Sequence, residues 1–173
     1  MSEKSNFNFK KILIVGDSGR GKSTFAGILS KKLNIKQFST DDFYWRKKYS
    51  VAMDKETSLK NISKIYNQKS WIIEGATRSL IREGIEKSDK IICLVYPNLL
   101  FQFWTLFKRK LTRKEETWSN LFNLYKHLFY KKYKLGQQIN KDTIEEMLKP
   151  FSEKTIKLYS FREIDNFIQK LQI

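Results

Sequence analysis

The chain has 173 residues, which is the size of one domain with a substantial core. Hydrophobic residues make up 40% and aromatic residues 14%, so the composition indicates a globular protein and excludes a disordered one. A single cysteine excludes a disulfide framework and a four-cysteine zinc site. The formal charge of +16 favours anionic partners, although the lysines are spread along the chain as on an ordinary solvated surface.

No segment is typical of membrane insertion or secretion. Residues 1–9 are polar and lack the apolar stretch of a signal peptide. No window reaches the roughly 18 uninterrupted apolar residues that a spanning helix needs. We therefore expect a cytoplasmic protein with no membrane partner, present as a monomer or a homodimer.

Strands and helices alternate along the chain. The apolar pattern predicts strands at 11–15, 35–39, 71–74, 90–96 and 155–158, and helices at 22–32, 53–67, 80–86, over much of 99–148 and after Ser160, with a loop at 40–50. Four strands are continuous apolar runs, as in a parallel sheet covered on both faces. The sequence therefore predicts an α/β fold: one three-layer α/β/α domain over 1–173, with a five-stranded parallel sheet and a helical lid at roughly 104–148.

A glycine-rich segment lies between the first predicted strand and helix. Residues 16–24 read GDSGRGKST, a complete G-x-x-x-x-G-K-[ST] motif. Its glycines let backbone N–H groups surround phosphate oxygens at the positive end of the helix. Lys22 reaches the β- and γ-phosphates, and the Ser23 hydroxyl is placed to bind Mg²⁺. The residues expected to bind ATP with its Mg²⁺ are Gly16, Ser18, Gly19, Arg20, Gly21, Lys22, Ser23 and Thr24.

Two aspartates and three aromatic residues follow the second strand. Because ligands bind at the carboxyl ends of strands in such sheets, Asp41 and Asp42 are expected beside the phosphate loop. A carboxylate there can accept a proton from an attacking hydroxyl, bind sugar hydroxyls or help hold Mg²⁺. Tyr44 and Trp45 can stack on a base or ring. The alternative is a helix cap with its aromatics packed in the core.

Charged residues follow the third and fourth strands as well. Glu74 is positioned for the Mg²⁺ shell, directly or through water, and Arg78 can clamp a phosphate bidentately. Arg109 and Arg113 are four residues apart and share a helix face, where they can stabilise a phosphoryl group in transfer. The alternatives are a surface turn at Arg78 and a basic solvated face at 109–113.

Three other features have simpler interpretations. Cys93, inside an apolar run, is predicted to be buried, and His127 to be a surface residue. The aromatic stripe at 118–129 is more typical of a core than of a dimer or substrate-gating face. The residue counts allow no nucleophile–histidine–acid triad and no His/Cys metal cluster.

Together these segments resemble the P-loop nucleoside and nucleotide kinases of adenylate-kinase type. Residues 16–24 are similar to their phosphate loop. Residues 74–78, EGATR, look like their Asp-Gly-Phe-Pro-Arg segment, with glutamate for the aspartate and Ala-Thr for Phe-Pro. Residues 41–44, DDFY, resemble a stretch of uridine and nicotinamide riboside kinases. The overall pattern is most similar to that of the small topology modulation proteins.

The resemblance implies an ATP- and Mg²⁺-dependent phosphotransferase acting on a small acceptor such as a nucleoside or nucleoside monophosphate. It implies that Asp41 is the base on the acceptor hydroxyl, that Arg78 binds the acceptor, and that Arg109 and Arg113 are lid arginines. Two other hypotheses stay open at this point. The basic charge suggests a nucleotide-dependent nucleic-acid-binding or regulatory protein, whose binding would weaken steeply with salt. A hydrolase is less favoured, because kinases shield the γ-phosphate from water.

Overall fold

A five-stranded parallel sheet lies at the centre of the computed structural model, which describes residues 9–16, 18–47, 51–96, 98–112, 117–133, 135 and 142–171. The strands, numbered in chain order, are β1 (Lys11–Gly16), β2 (Gln37–Ser39), β5 (Trp71–Gly75), β6 (Lys90–Leu94) and β7 (Thr155–Leu158). They are arranged in the order β2-β5-β1-β6-β7. The predicted α/β class and five-stranded parallel sheet are confirmed.

The central strands divide their side chains between two cores. Successive residues of a strand point to opposite faces, so Leu13 and Val15 enter one apolar cluster while Ile12 and Ile14 enter the other. All four side chains are fully buried. This explains the unbroken apolar runs in the sequence, because a strand covered on both faces has no solvent side.

Helices cover both faces and complete three layers. One face packs against α1 (Lys22–Leu33) and α8 (Phe161–Lys170). The other face packs against the following helices: α3 (Lys55–Tyr66), α4 (Arg78–Lys87) and α7 (Ile144–Leu148). A 3₁₀ segment, Lys149–Lys154, leads from α7 into β7. Cys93 is buried in the core that packs against α3, α4 and α7, and His127 is exposed, as predicted.

A pair of helices, α5 (Leu99–Thr112) and α6 (Trp118–Lys132), has a small core of its own around Leu106, Leu121 and Leu128. The rings of Phe103 and Tyr125 stack at 4.4 Å within it. The expectation that the aromatic stripe at 118–129 is core is wrong for three of its rings, which are exposed: Trp118, Phe122 and Phe129. A helix that packs against one neighbour buries only one side. No helix in the described ranges has both the length and the apolarity needed to cross a bilayer.

Within the segment 40–50, predicted to be a loop, the described residues 40–47 form a short helix and then a strand. Helix α2 (Thr40–Tyr44) begins after Ser39, which caps it, and the short strands β3 (Trp45–Lys47) and β4 (Val51–Ala52) pair antiparallel. Aspartates in the first turn of α2 favour the helix, since they lie at its positive end. Residues 48–50 are outside the described residues. Elsewhere the bounds of the predicted strands and shorter helices shift by at most two residues.

Close packing between α3 and α4 depends on Gly84. A Cβ atom built on Gly84 would lie 2.5 Å from the Tyr66 ring. That ring is fully buried, contacts Trp71 edge-on at 5.1 Å, and its hydroxyl donates to the Leu80 carbonyl at 2.9 Å. Burial, with a smaller contribution from the nearby Glu83 carboxylate, raises the pKa of the Tyr66 hydroxyl well above its ordinary value.

Gly84→Ala should therefore lower the free energy of unfolding by roughly 1–3 kcal/mol, because the added methyl displaces a buried ring. The matched control is Gly27→Ala in α1, where the Cβ would meet Gln37 at an ordinary 3.7 Å. That variant should gain about 0.5–1 kcal/mol from helix propensity. Urea unfolding followed by circular dichroism measures both. Equal stabilisation by the two substitutions would contradict the tight contact at Tyr66.

Candidate active site

The carboxyl ends of β1, β2 and β5 bring the predicted site residues to one edge of the sheet. Ser39 is in register with Glu74, and Val15 with Gly75. The phosphate loop, the aspartate pair and the segment 74–78 therefore lie beside one another, as the sequence predicts. Arg78 is the first residue of α4 and is partly exposed at the same edge.

The phosphate loop has the backbone that its glycines predict. Gly16 has a φ of +134°, and a side chain there would collide with the Leu94 carbonyl of β6. Gly21 caps α1 in the left-handed conformation, and its carbonyl accepts the Phe25 N–H at 2.9 Å. Helix α1 thus begins at Lys22, half-buried, with Ser23 and Thr24 exposed on the first turn. Residue 17 is not among the described residues.

The Glu74 carboxylate connects the loop to β2. Its Oε1 atom accepts hydrogen bonds from the Ser23 hydroxyl at 2.9 Å and from the Ser39 hydroxyl at 2.7 Å. Glu74 is only 7% exposed. A buried carboxylate needs such donors, because its charge has lost most of its water. The predicted Mg²⁺ residues Ser23 and Glu74 are therefore in direct contact.

Ser39 extends this connection to the aspartate pair. Its hydroxyl oxygen accepts the Asp41 backbone N–H at 3.3 Å and caps α2. Asp41 is partly buried and Asp42 is exposed, both in the first turn of the helix. Ser39 was not predicted as a site residue. A serine at a strand end, two residues before the first of two aspartates, is the capping pattern that points to it.

The aromatics after the aspartates have divided roles. Phe43 and Tyr44 pack against the core cluster on the α3 side, so the core alternative applies to their rings. Trp45 begins β3, and its ring meets that of Tyr44 edge-on at 4.7 Å. The close neighbour of Gly75 is the buried Thr40 side chain, so the small residue there makes room for α2.

Arg20 lies inside the protein although it belongs to the phosphate loop. The side chain is 1% exposed, and its guanidinium carbon lies 4.7 Å from the Tyr96 ring centroid and 4.6 Å from that of Phe161. A planar guanidinium between two rings makes cation–π contacts on both faces. Arg20 thus attaches the loop to the segment that follows β6 and to the start of α8.

Helix α5 passes over the phosphate loop. The Gln102 side chain donates to the Ser18 carbonyl at 3.2 Å, and the Leu106 side chain packs so closely on Gly19 that a Cβ there would be 2.8 Å away. Arg109 follows Leu106 on the same helix face. Burial raises the pKa of the Tyr125 hydroxyl, while the positive charge of Arg109 opposes this. Arg113 lies outside the described residues.

Comparisons by sequence are sparse. No model of a known protein family matches the chain. A stretch of 69 residues, 39% of the chain, is 38% identical to the uncharacterized protein YqaC of Bacillus subtilis (strain 168). The match spans 38% of the length of that curated relative.

Comparisons by structure cover nearly the whole chain. Shikimate kinase from Acinetobacter baumannii, in complex with shikimate, matches with a TM-score of 0.57 and 14% identity over 95% of this chain and 91% of that one. Shikimate kinase from Bacteroides thetaiotaomicron gives 0.55 and 15% over 95% and 97%. A gluconokinase from Sinorhizobium meliloti 1021 gives 0.52 and 10% over 93% and 88%. The chain has the P-loop kinase fold. Similarity to topology modulation proteins in particular stays a prediction.

The donor atoms at this edge of the P-loop kinase fold suit Mg²⁺ bound together with phosphates. The Ser23 hydroxyl and the Glu74 carboxylate supply oxygen, the ligand type that Mg²⁺ prefers, and Mg²⁺ usually takes few protein ligands beside substrate phosphates and water. Within the described ranges, no three His, Cys, Asp or Glu side chains cluster as an all-protein metal cage would require. The residues present therefore fit a cation shared with a nucleotide.

Ser39→Ala should cost about 2 kcal/mol of unfolding free energy, because it removes a helix cap and a donor to a buried carboxylate. The matched variant is Ser160→Ala. Ser160 caps α8 by accepting the Glu163 N–H and donates to the exposed Glu163 carboxylate. Losing that cap should cost about 1 kcal/mol. Chemical denaturation compares the two, and equal losses would mean that the Ser39–Glu74 bond adds nothing.

Proposed function

We propose that this chain is an ATP- and Mg²⁺-dependent phosphotransferase acting on a small acceptor, with nucleosides and nucleoside monophosphates as the first class to test. The two hydrogen bonds that Glu74 accepts, from Ser23 and from Ser39, support the proposal most directly, because they join the phosphate loop to the residue that caps the aspartate-bearing helix. The shared fold with shikimate kinase and gluconokinase supports transfer to a small molecule. We place the protein in the cytoplasm, as one domain with a lid within 104–148.

On the donor side, the loop amides and Lys22 would bind the β- and γ-phosphates of ATP. Ser23 and Glu74 would hold Mg²⁺, which neutralises phosphate charge when bound. The Ser23 hydroxyl donates a hydrogen bond to Glu74, so the lone pairs of the Ser23 oxygen point away from that bond and are available to a cation. Arg20 supports the loop from behind by its stacking between two rings.

On the acceptor side, Asp41 would take the proton of the acceptor hydroxyl. The hydroxyl oxygen would bond to the γ-phosphorus of ATP while the bond from that phosphorus to the β–γ bridging oxygen breaks, which releases ADP. Arg78 would bind the acceptor. Asp42 and Trp45 would contact the acceptor, and the Tyr44 ring would support Trp45 from the core side. Arg109 and Arg113 would offset the negative charge that develops on the transferred group. Arg109 has a rigid support, since α5 is attached to the loop through Gln102 and Leu106.

A panel of nucleosides, nucleoside monophosphates and small polyols, assayed for ADP formation with Mg²⁺ and ATP, tests the proposal. At least one acceptor should raise ADP formation far above the rate without acceptor. Lys22→Ala should abolish that increment, because the β- and γ-phosphates lose their principal cation. ADP formation that no acceptor raises, and that Lys22→Ala removes, would indicate a hydrolase instead.

Asp41→Asn should lower kcat by roughly 100-fold or more, since the amide cannot accept the acceptor proton. Asp42→Asn is the matched control on the next residue. Because Asp42 is exposed and assigned only to acceptor binding, its variant should raise the acceptor KM and keep kcat. Steady-state kinetics with the best acceptor of the panel separate the two. Full kcat in Asp41→Asn would remove the base role.

A further inference from the structure

Helices α5 and α6 present a band of exposed apolar side chains. Five of them are between 54% and 80% exposed: Leu100, Trp104 and Leu111 on α5, and Trp118 and Phe122 on α6. Isolated exposed apolar residues are common, but a contiguous patch marks a contact surface. We call these side chains, with Lys108, Lys110, Lys126 and Tyr130, the aromatic–lysine face.

The face is continuous across both helices. On α5, residues 100, 104, 108 and 111 follow helical spacing, and on α6 residues 118, 122, 126 and 130 do the same. Ring contacts join the helices, since Phe107 lies 5.9 Å from Trp104 and 6.0 Å from Trp118 between centroids. The opposite sides of the helices are already occupied by their shared core and the phosphate loop.

Lysines are interleaved with the rings. The ammonium groups of Lys108, Lys110 and Lys126 lie 5.2, 4.9 and 5.8 Å from the ring centroids of Trp104, Trp118 and Tyr130. Neither helix contains an aspartate or glutamate in its sequence, and the connecting residues 113–116 carry two charges of each sign. The face is therefore both apolar and positively charged.

We propose that the aromatic–lysine face binds peripherally to the surface of an anionic lipid bilayer. Leucine and phenylalanine side chains enter the boundary between headgroups and acyl chains, and tryptophan and tyrosine rings settle at that depth. Lysines extend to the lipid phosphates while their stems stay on the apolar surface. This binding needs no spanning helix, although it differs from the expectation, drawn from the sequence, of no membrane partner.

Other partners match the face less well. A second copy would bring lysines against lysines, and lysine is depleted in the cores of protein interfaces. A nucleic acid would satisfy the lysines and stack on rings. It would leave Leu100 and Leu111 against a hydrated backbone, where aliphatic side chains gain little. The combination of exposed aliphatic groups with lysines is what favours lipid.

Flotation of the full chain with vesicles tests the proposal. The protein should float with phosphatidylcholine vesicles that contain phosphatidylglycerol and stay in solution with phosphatidylcholine alone. Trp104→Ser and Phe122→Ser should each weaken binding about tenfold, and Lys108→Gln and Lys126→Gln about fivefold each. The matched controls Tyr159→Ser and Lys170→Gln change exposed residues outside the face and should bind as the parent does.

Depth is read from tryptophan fluorescence. Phospholipids brominated on their acyl chains should quench the emission of the bound protein. The double variant Trp104→Phe, Trp118→Phe should still bind and lose most of the quenching, since Trp71 is buried in the core and Trp45 lies in β3, outside α5 and α6. Far-ultraviolet circular dichroism confirms that each variant is folded.

Three outcomes would overturn the proposal. Equal flotation with neutral and anionic vesicles would show that the lysine charges do not contribute to binding. Binding without quenching would show that the rings do not insert into the bilayer. Failure to float, together with a ring-dependent dimer in sedimentation or ring-dependent binding of a single-stranded oligonucleotide, would assign the face to that partner instead.

Discussion

One carboxylate oxygen sets the arrangement of the candidate site. Glu74 lies one residue before the end of a strand that is buried on both faces, so its side chain has little water and its hydrogen bonds must come from the protein. The two hydroxyls that satisfy it come from the first turn of α1 and from the residue that caps α2. Because both hydroxyl groups must reach the same carboxylate oxygen, their hydrogen bonds to Glu74 hold the phosphate loop and the aspartate pair at a fixed separation.

The rest of the phosphate loop is held in place by packing contacts with the surrounding elements. Gly16 touches β6, Arg20 is enclosed by Tyr96 and Phe161, and Gly19 lies under Leu106. Each support comes from a different element. A loop that must hold its N–H groups in one orientation is well served by such contacts, because preorganised donors lose little entropy when an anion binds.

Much of the fold was predictable because the determining information is local. A continuous apolar run identifies a doubly covered strand, as at Ile12–Val15, and the glycine–lysine spacing identifies the phosphate loop wherever a strand precedes it. Helix α2 was missed because its five residues are too few to show a helical period, even though the predicted strand end at Ser39 was correct. The stacking of Arg20 and the exposure of Phe122 depend on residues distant in sequence, which periodicity cannot report.

The Arg20–Phe161 contact also has a consequence for biosynthesis. These residues lie near opposite ends of the sequence, yet the loop that contains Arg20 packs against the first turn of the last helix. Contacts of such high sequence separation carry a large loop-closure entropy cost, and this one needs both ends of the chain to be present. During translation the phosphate loop therefore lacks this support until α8 has left the ribosome, so a nascent or C-terminally truncated chain should bind phosphate poorly.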